Sequence, residues 1–384
     1  MWQMKETQSV IDDVHKMIGQ SHKIRIRLTC MDADNKILWN DEFPEGTLLE
    51  DSSVEFDGTS DGNSRMLHLS VLNHQGKWSC DPLHPTNSPL WVNQLIRASY
   101  GIYSPVKAID RPDTDGYVYI PVMTAVIKTI EMRDDATVVI EGEDKASNFK
   151  DPGKFMRPYT IKKGSKLSTV IHELAEAYGE TMFRIQSNNY RLKGSHQFAA
   201  DDDIWEKLKY FAAATSWALF YDGEGYLVFR PRNNNSICTF TTGATGNIVV
   251  PPTRLVEFDE FKNVVMVTGK DAKVLATVSL PSNHPLSWQN VKQVRPHFYE
   301  NTSISTVKQA KEKANQLLTQ LALVTNNVTF SALPNPLLEE TDYIQVIDSN
   351  LSVNLKILLE TFVLPLTHKD PMEIGSEMRL AVKV

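Results

Sequence analysis

From Lys23 onward apolar and polar side chains alternate, with Ile24, Ile26 and Leu28 on one side and Arg25, Arg27 and Thr29 on the other. A period of two predicts a half-exposed strand, because successive side chains of an extended chain point to opposite faces. Asp32-Ala33-Asp34-Asn35 predicts a turn, and Lys36-Ile37-Leu38-Trp39 the returning strand. Val54-Glu55-Phe56 and the run 66–71 continue the pattern across a polar turn at 57–63. Residues 91–99, 118–132 and 138–141 add strand-like runs, and nothing before residue 145 requires a long helix. Ahead of these strands, Val10, Ile11, Val14, Met17 and Ile18 recur at helical spacing, with Gly19 as a stop. That stripe is the candidate contact with a partner; packing back on the body is the alternative, and sequence leaves both open.

Asp151-Pro152-Gly153 marks a change of character. Leu167, Val170, Ile171, Leu174, Ala175 and Tyr178 follow a helical period ended by Gly179. A second helix opens after Asp201-Asp202-Asp203, whose carboxylates suit a helix N-terminus. A hairpin follows: 217–221, the turn Asp222-Gly223-Glu224-Gly225, then 226–229. Strand patterns return at 237–250, 264–268 and 274–280. Thr306 with Gln309 forms a capping box ahead of a helix bearing Val307, Ala310, Ala314, Leu317, Leu318 and Leu321. Runs at 328–332, 343–347, 354–359 and 378–384 close the chain as a β unit. The pattern predicts a β-rich α+β, multidomain chain. Its expected parts are an N-terminal helix or arm (1–20), a first β-barrel-like domain (21–149), a small mixed α/β domain (150–234), and a second β-barrel-like domain (235–384) with one long helix at about 305–323.

Length agrees with that division, since 384 residues correspond to two or three domains at roughly 150 residues each. Hydrophobic residues make up 41% and charged residues 23%, which excludes wholesale disorder. A net charge of -7 and the lack of a basic tract argue against a dedicated nucleic-acid binder, which displaces counterions with clustered Lys and Arg. No apolar run reaches the length of a membrane span, and the first residues lack the apolar core of a secretion signal. Cys30, Cys80 and Cys238 are odd in number, widely spaced and without a CxxC, so they read as free thiols made in a reducing compartment.

The search for chemistry yields little. His172-Glu173 suggests a zinc-protease helix, but the position of the second ligand is Glu176. Asp32-Ala33-Asp34 and Asp113-Thr114-Asp115-Gly116 resemble fragments of calcium loops without the remaining oxygen ligands, and turns explain them more simply. There is no nucleophile elbow, Walker loop or dinucleotide fingerprint. The segment from Tyr159 through Gly164 to Leu167 has a LysM-like opening, which would imply peptidoglycan binding; Ser165-Lys166 replaces the usual Asp-Thr there. Six of the seven tryptophans, Trp39, Trp78, Trp91, Trp205, Trp217 and Trp288, lie within apolar runs and suit core or interface anchors. No catalytic residue, metal ligand or cofactor site is assigned.

The order of segments carries a resemblance. The opening strands, with Arg65 to Val71 as an "R-x-L-x-L-x-V" run, resemble the start of hub-type minor tail proteins (baseplate hub or tail-tip proteins) of long-tailed phages. The helix from Ile204-Trp205 to Ala212, leading into Tyr221-Asp222-Gly223-Glu224-Gly225-Tyr226-Leu227, is similar to their "x-D-x-x-G-x-L" hairpin. Pro334-Asn335-Pro336, followed by Asp342-Tyr343-Ile344-Gln345-Val346, looks like their "PNP, then GD-x-[IV]-x-V" entry, with Thr341 standing where the family usually has Gly. The resemblance implies a structural virion protein without enzymatic activity or cofactor, made in the host cytoplasm and placed at the tail tip. It implies a homotrimer whose paired barrels give a pseudo-sixfold ring closing the distal end of the tail tube. The implied partners are the tube or distal tail ring, the tape measure protein and receptor-binding or fibre proteins, with double-stranded DNA passing through the lumen without specific binding. The alternatives are a cell-wall-binding or peptidoglycan-degrading tail module centred on 159–200, and the spike base of a contractile injection system.

Overall fold

The computed structural model describes residues 6–20, 22–44, 48–49, 51–58, 64–73, 76–84, 88–91, 93–106, 115–150, 159–199, 202–213, 215, 217–233, 235–270, 273–301, 304–351, 353–368 and 370–381. The chain divides into two compact units, Met1–Pro251 with Phe330–Gly375, and Pro252–Thr329 with Ser376–Val384.

The first unit opens with helix α1 (Gln8–Ile18), then β1 (Ile24–Met31), β2 (Ile37–Pro44), β3 (Ser53–Asp57), β4 (Ser64–Leu72), β5 (Leu95–Tyr103), β6 (Tyr117–Met132) and β7 (Thr137–Asp144). These strands form an antiparallel sheet in the order β3-β4-β7-β6-β5-β1-β2. The turn between β1 and β2 forms because Asp32 Oδ1 accepts the backbone N–H groups of Asp34 (3.0 Å) and Lys36 (2.9 Å). Asn35 there takes a left-handed φ of 65°, which asparagine tolerates. Ala98 pairs with Met123 but Ser99 pairs with Pro121, so Val122 is the extra residue of a bulge in β6. The strand expected at 91–99 begins only at Leu95, because Trp91 and Gln94 bond each other instead of a neighbouring strand: Trp91 N donates to Gln94 Oε1 (2.8 Å) and Gln94 N to Trp91 O (3.3 Å).

A mixed module follows within the same unit: α2 (Ser147–Lys150), β8 (Tyr159–Ile161), α3 (Leu167–Ala177), β9 (Phe183–Ile185), β10 (His196–Phe198), α4 (Ile204–Ala213), β11 (Trp217–Tyr221) and β12 (Leu227–Pro231). The expected helical stripe is its core: Leu167, Val170, Ile171 and Leu174 are buried with Trp205, Leu208 and Phe211. Trp205 stacks on Tyr221 with ring centroids 5.9 Å apart, and Phe149 of α2 lies 6.2 Å from Trp205. Next come β13 (Ser236–Thr241) and β14 (Ile248–Glu257), so the single run expected at 237–250 is two strands split by a glycine turn at Gly243–Gly246.

The second unit is built on β15 (Val264–Thr268), with β16 (Leu275–Ser279) antiparallel on one side and β17 (Pro296–Glu300) parallel on the other. Between these strands lies α5 (Trp288–Val291), and α6 (Val307–Leu321) packs on the sheet before β18 (Leu323–Ala332). Ala310 and Ala314, both fully buried, let α6 approach Val265, Val267 and Ala276 closely. Thr306 caps its N-terminus as the sequence predicts, with Gln309 N donating to Thr306 Oγ1 (3.2 Å), but the return bond of the box is displaced: Gln309 Oε1 accepts from Ser305 N (3.1 Å), one residue before the cap.

The chain then returns to the first unit through β19 (Tyr343–Asp348), β20 (Val353–Leu358), β21 (Thr361–Pro365) and the start of β22 (Met372–Ala381). Strand β19 lies parallel to β13 and antiparallel to β20. Strand β21 pairs with β3, placing Phe362 against Phe56 with ring centroids 5.5 Å apart. The C-terminal strands therefore extend the sheet begun by the N-terminal ones. The β-rich class with few helices is as expected, but no strand pairing among the described residues closes a sheet into a barrel. Strand alternation specifies a half-buried sheet, and whether its edges meet is set by twist and shear that alternation does not encode.

The expected contact stripe of α1 lies against β5, with Val10, Val14 and Ile18 buried and Ile11 and Met17 half-buried. Ser104 Oγ donates to Asp13 Oδ2 (2.6 Å) and fixes the helix at the end of β5. Val14 is 0% exposed, so Val14→Asp strands a carboxylate in the core and costs about 3 kcal/mol or more. Met17→Asp, at a half-buried site, shifts the denaturant midpoint far less. Urea unfolding of the two variants beside the parent chain measures the difference.

Candidate functional site

The polar residues that the fold gathers lie inside the first unit, where the mixed module meets the first sheet. The turn Asp222–Gly225 joins β11 to β12, with Gly225 N donating to Asp222 O (2.9 Å) and Tyr226 N to Asp222 Oδ1 (3.0 Å). Gly225 has a φ of +84°, open to glycine at little cost. A Cβ on Gly223 would stand 2.0 Å from the carbonyl oxygen of Pro121, beside the β6 bulge. The turn thus rests backbone to backbone on β6, and glycine is required there.

That contact buries carbonyl groups that need donors. Thr124 Oγ1 donates to Gly223 O (2.9 Å), Arg97 Nη2 to Glu224 O (2.8 Å), and Lys145 Nζ to Gly225 O (3.2 Å). Arg184 of β9 reaches across the turn, one arm pairing with Asp222 and the other with Glu224, while its guanidinium lies 4.0 Å over the Tyr226 ring. Lys145 also pairs with Glu180 (2.7 Å), whose other oxygen accepts from Tyr221 OH (2.7 Å). Burial, reinforced by Glu180, holds the Tyr221 phenol well above its ordinary range, so it stays a donor.

The same junction reaches the segment between β18 and β19. Arg65 of β4 donates through Nε to Glu340 Oε1 (3.3 Å) and through Nη1 to the carbonyl of the bulged Val122 (2.7 Å). Its backbone N–H donates to Asp144 Oδ2 (3.2 Å). Arg230 pairs with Glu339 (3.2 Å), and Asp342 Oδ2 accepts from Glu339 N (3.0 Å). Burial pushes Asp144 up to about 6 and Glu340 up to about 8, only partly opposed by Arg65. Thr341 holds a φ of +66° between them. This arrangement binds chain segments to one another; it presents no nucleophile beside a base and no open cluster of metal ligands among the described residues.

The other residues singled out by sequence are dispersed. His172 stacks on Phe183 at 4.1 Å and its Nδ1 lies 3.7 Å from Glu176 on the next helical turn. Asp32 serves its own turn, and Asp115 Oδ2 pairs with Arg25 (3.1 Å); Asp113 and Thr114 lie outside the described residues. In the LysM-like stretch, β8 pairs antiparallel with β10, with α3 and β9 between them. Cys30 is buried and hydrogen-bonded to Gln94, its thiol pushed up to about 12 by burial, while Cys80 and Cys238 are half-buried and free. No helix among the described residues is long and apolar enough to cross a membrane. Sequence reading singled out Arg65, the 222–225 turn and Thr341 as pattern positions, but missed Arg97, Asp144, Lys145, Glu180, Arg184 and Glu340. An acidic run, Glu339-Glu340 with Asp342, in an otherwise apolar stretch was the available signal.

Two substitutions test the junction. Gly223→Ala forces β6 and the turn apart and is expected to cost about 3 kcal/mol or more, with earlier proteolytic cleavage around 222–226. Thr341→Gly removes a left-handed strain and is expected to raise stability by about 1 kcal/mol, read as a higher denaturant midpoint.

No protein-family model matches the chain, and no curated protein matches it by sequence. Its fold does have solved counterparts. The 43 kDa tail protein of prophage MuSo2 from Shewanella oneidensis superposes with a TM-score of 0.58 at 13% identity, over 92% of this chain and 98% of that one. The tail protein from Neisseria meningitidis MC58 gives 0.58 at 12% identity, over 92% and 96%. A chain of a PdpA–VgrG complex gives 0.53 at 11% identity, over 95% of this chain and 66% of that one. The chain thus has, over nearly its whole length, the fold of solved phage tail proteins.

Proposed function

We propose that this protein is a structural component of a phage tail, acting as the hub of the tail tip or baseplate. The observation that carries this reading is the end-to-end likeness to the MuSo2 tail protein, which spans almost all of both chains. In this reading three copies form a ring at the distal end of the tail tube. The two β-rich parts of each chain act as the barrel-like halves of a pseudo-sixfold face toward the tube or distal tail ring. The tape measure protein ends above the ring, receptor-binding or fibre proteins are anchored around it, and DNA leaves through its lumen without sequence-specific contact. A closed ring needs heterologous contact surfaces on both flanks of each subunit. Helix α1 is one such contact, and because Val10, Val14 and Ile18 are used internally, Ile11 and Met17 are the side chains it offers. The protein performs no turnover.

The likeness to a chain of a PdpA–VgrG complex favours a second reading, the spike base of an injection machine. Gene neighbourhood separates the two: tape measure and head genes beside this one support a phage, and sheath and effector genes without head genes support an injection machine.

Electron-microscope class averages of the purified chain over a concentration series test the hub. Threefold rings with a central opening are the expected outcome, and Met17→Asp is expected to reduce the ring fraction while leaving the monomer folded. Monomers at every concentration, joined by retention on purified peptidoglycan, would replace the hub with a wall-binding module.

A further inference from the structure

Glu340 and Arg65 stand 275 positions apart in sequence, and their side chains are only 1% and 3% exposed. Around them the donors and acceptors do not balance. The Arg65 guanidinium is shared between Glu340 and the bulge carbonyl of Val122, and only its backbone N–H donates to Asp144. The remaining ends of the pair, Arg65 Nη2 and Glu340 Oε2, have no hydrogen-bond partner among the described residues. The charged groups facing Glu340 are Arg65 from β4, Asp144 from the end of β7 and Glu339 from its own segment. Behind these stand Lys150 of α2 and Tyr221 of β11, both near Asp144, and Arg230 of β12, which is paired with Glu339. Two further carboxyl groups and one guanidinium therefore form the immediate surroundings of Glu340, in a place where an uncompensated charge is costly.

We propose that Glu340 is a proton-dependent latch joining the segment between β18 and β19 to strand β4, closed while its carboxyl is protonated and loosened when it ionises. As a neutral acid it sits beside Arg65 without adding to the charge of Asp144 and Glu339. On ionisation the proton passes to solvent, and the new carboxylate is repelled by Asp144 and Glu339 with Arg65 as the one cation bonded to it, a charge that opening the segment to water relieves. The sign follows from linkage. Burial raises the folded-state pKa of Glu340 to about 8, above the ordinary glutamate range, so the closed state binds the proton more tightly than the open one. Closure is firmest at acid pH, weakens as pH rises out of the ordinary glutamate range, and levels off once pH passes about 8. Asp144, raised to about 6, contributes in the same direction but only below about 6.

Hydrogen exchange of the intact chain between pH 5.5 and 9, corrected for intrinsic rates, tests the latch. Peptides covering 335–342 are expected to lose protection by up to about tenfold per pH unit until pH 8, then to level off, while peptides from β5 stay constant. Glu340→Gln flattens the profile of that segment, and Asp144→Asn leaves the slope above pH 6 in place. Protection that is independent of pH in the parent chain, or a slope that survives Glu340→Gln, overturns the proposal. If the variant does not fold, a carboxyl-carbon NMR titration of the parent chain decides: one glutamate with a midpoint near 8 supports the latch, and all glutamates titrating below 6 refute it.

Discussion

The close approach of two backbones, the Gly223 turn and the β6 bulge, is the constraint on which the rest of the first unit depends. No side chain larger than hydrogen fits between them, so the mixed module has one seat on the sheet. Bringing the backbones together removes water from the carbonyl groups of Gly223, Glu224 and Gly225 at once. An unsatisfied buried carbonyl costs on the order of 1–3 kcal/mol, which explains why Thr124, Arg97 and Lys145 converge there. Arg184 then neutralises the two carboxylates that the turn carries in with it.

Buried ion pairs are weak sources of net stability, since desolvation offsets most of the attraction. What they supply in this fold is direction. Glu180 accepts from Lys145, Tyr221 and the backbone N–H groups of Thr181 and Met182. Only one placement of the end of α3 against β11 satisfies all of these donors. Arg65 likewise joins three stretches far apart in sequence: β4, the β6 bulge and the segment before β19. Apolar packing alone, as in the Trp205 and Phe149 cluster, tolerates small slides between layers; a polar cluster that a slide would leave half-satisfied does not.

Such a scaffold suits the proposed hub, which has to keep its shape while neighbours attach. The solved tail proteins share its fold at 12–13% identity, so unlike side chains support a similar backbone path. In this chain the side chains that fix the path are named: a glycine turn, a bulge, and an arginine that plugs it. The mixed module need not move relative to the first sheet for the proposed hub to work, and its donors are spent on holding it still.

How much of this was legible in sequence depends on the range of the interactions. Strands β1, β3, β4 and β15, helices α3 and α6, and the 222–225 turn are written locally, as alternation, a 3.6-residue period, a capping box and Asp-Gly chemistry. Strands β17 and β21 were not anticipated, being short and bounded by Pro296 and Pro365. Nor does any local signal tell β21 to pair with β3, a contact between opposite ends of the chain that places the C-terminal strands in the first sheet. The ionic junction was half legible. Arg65 stood out within a strand, and Thr341 stood out as an unexpected residue at a position where the resemblance expects Gly. The structure supplies the reason for the second: at a φ of +66° the backbone there favours glycine, and the threonine stands between Glu340 and Asp342, both hydrogen-bonded to other parts of the fold or the segment. A residue that breaks a local rule therefore marked the place where long-range contacts hold the chain.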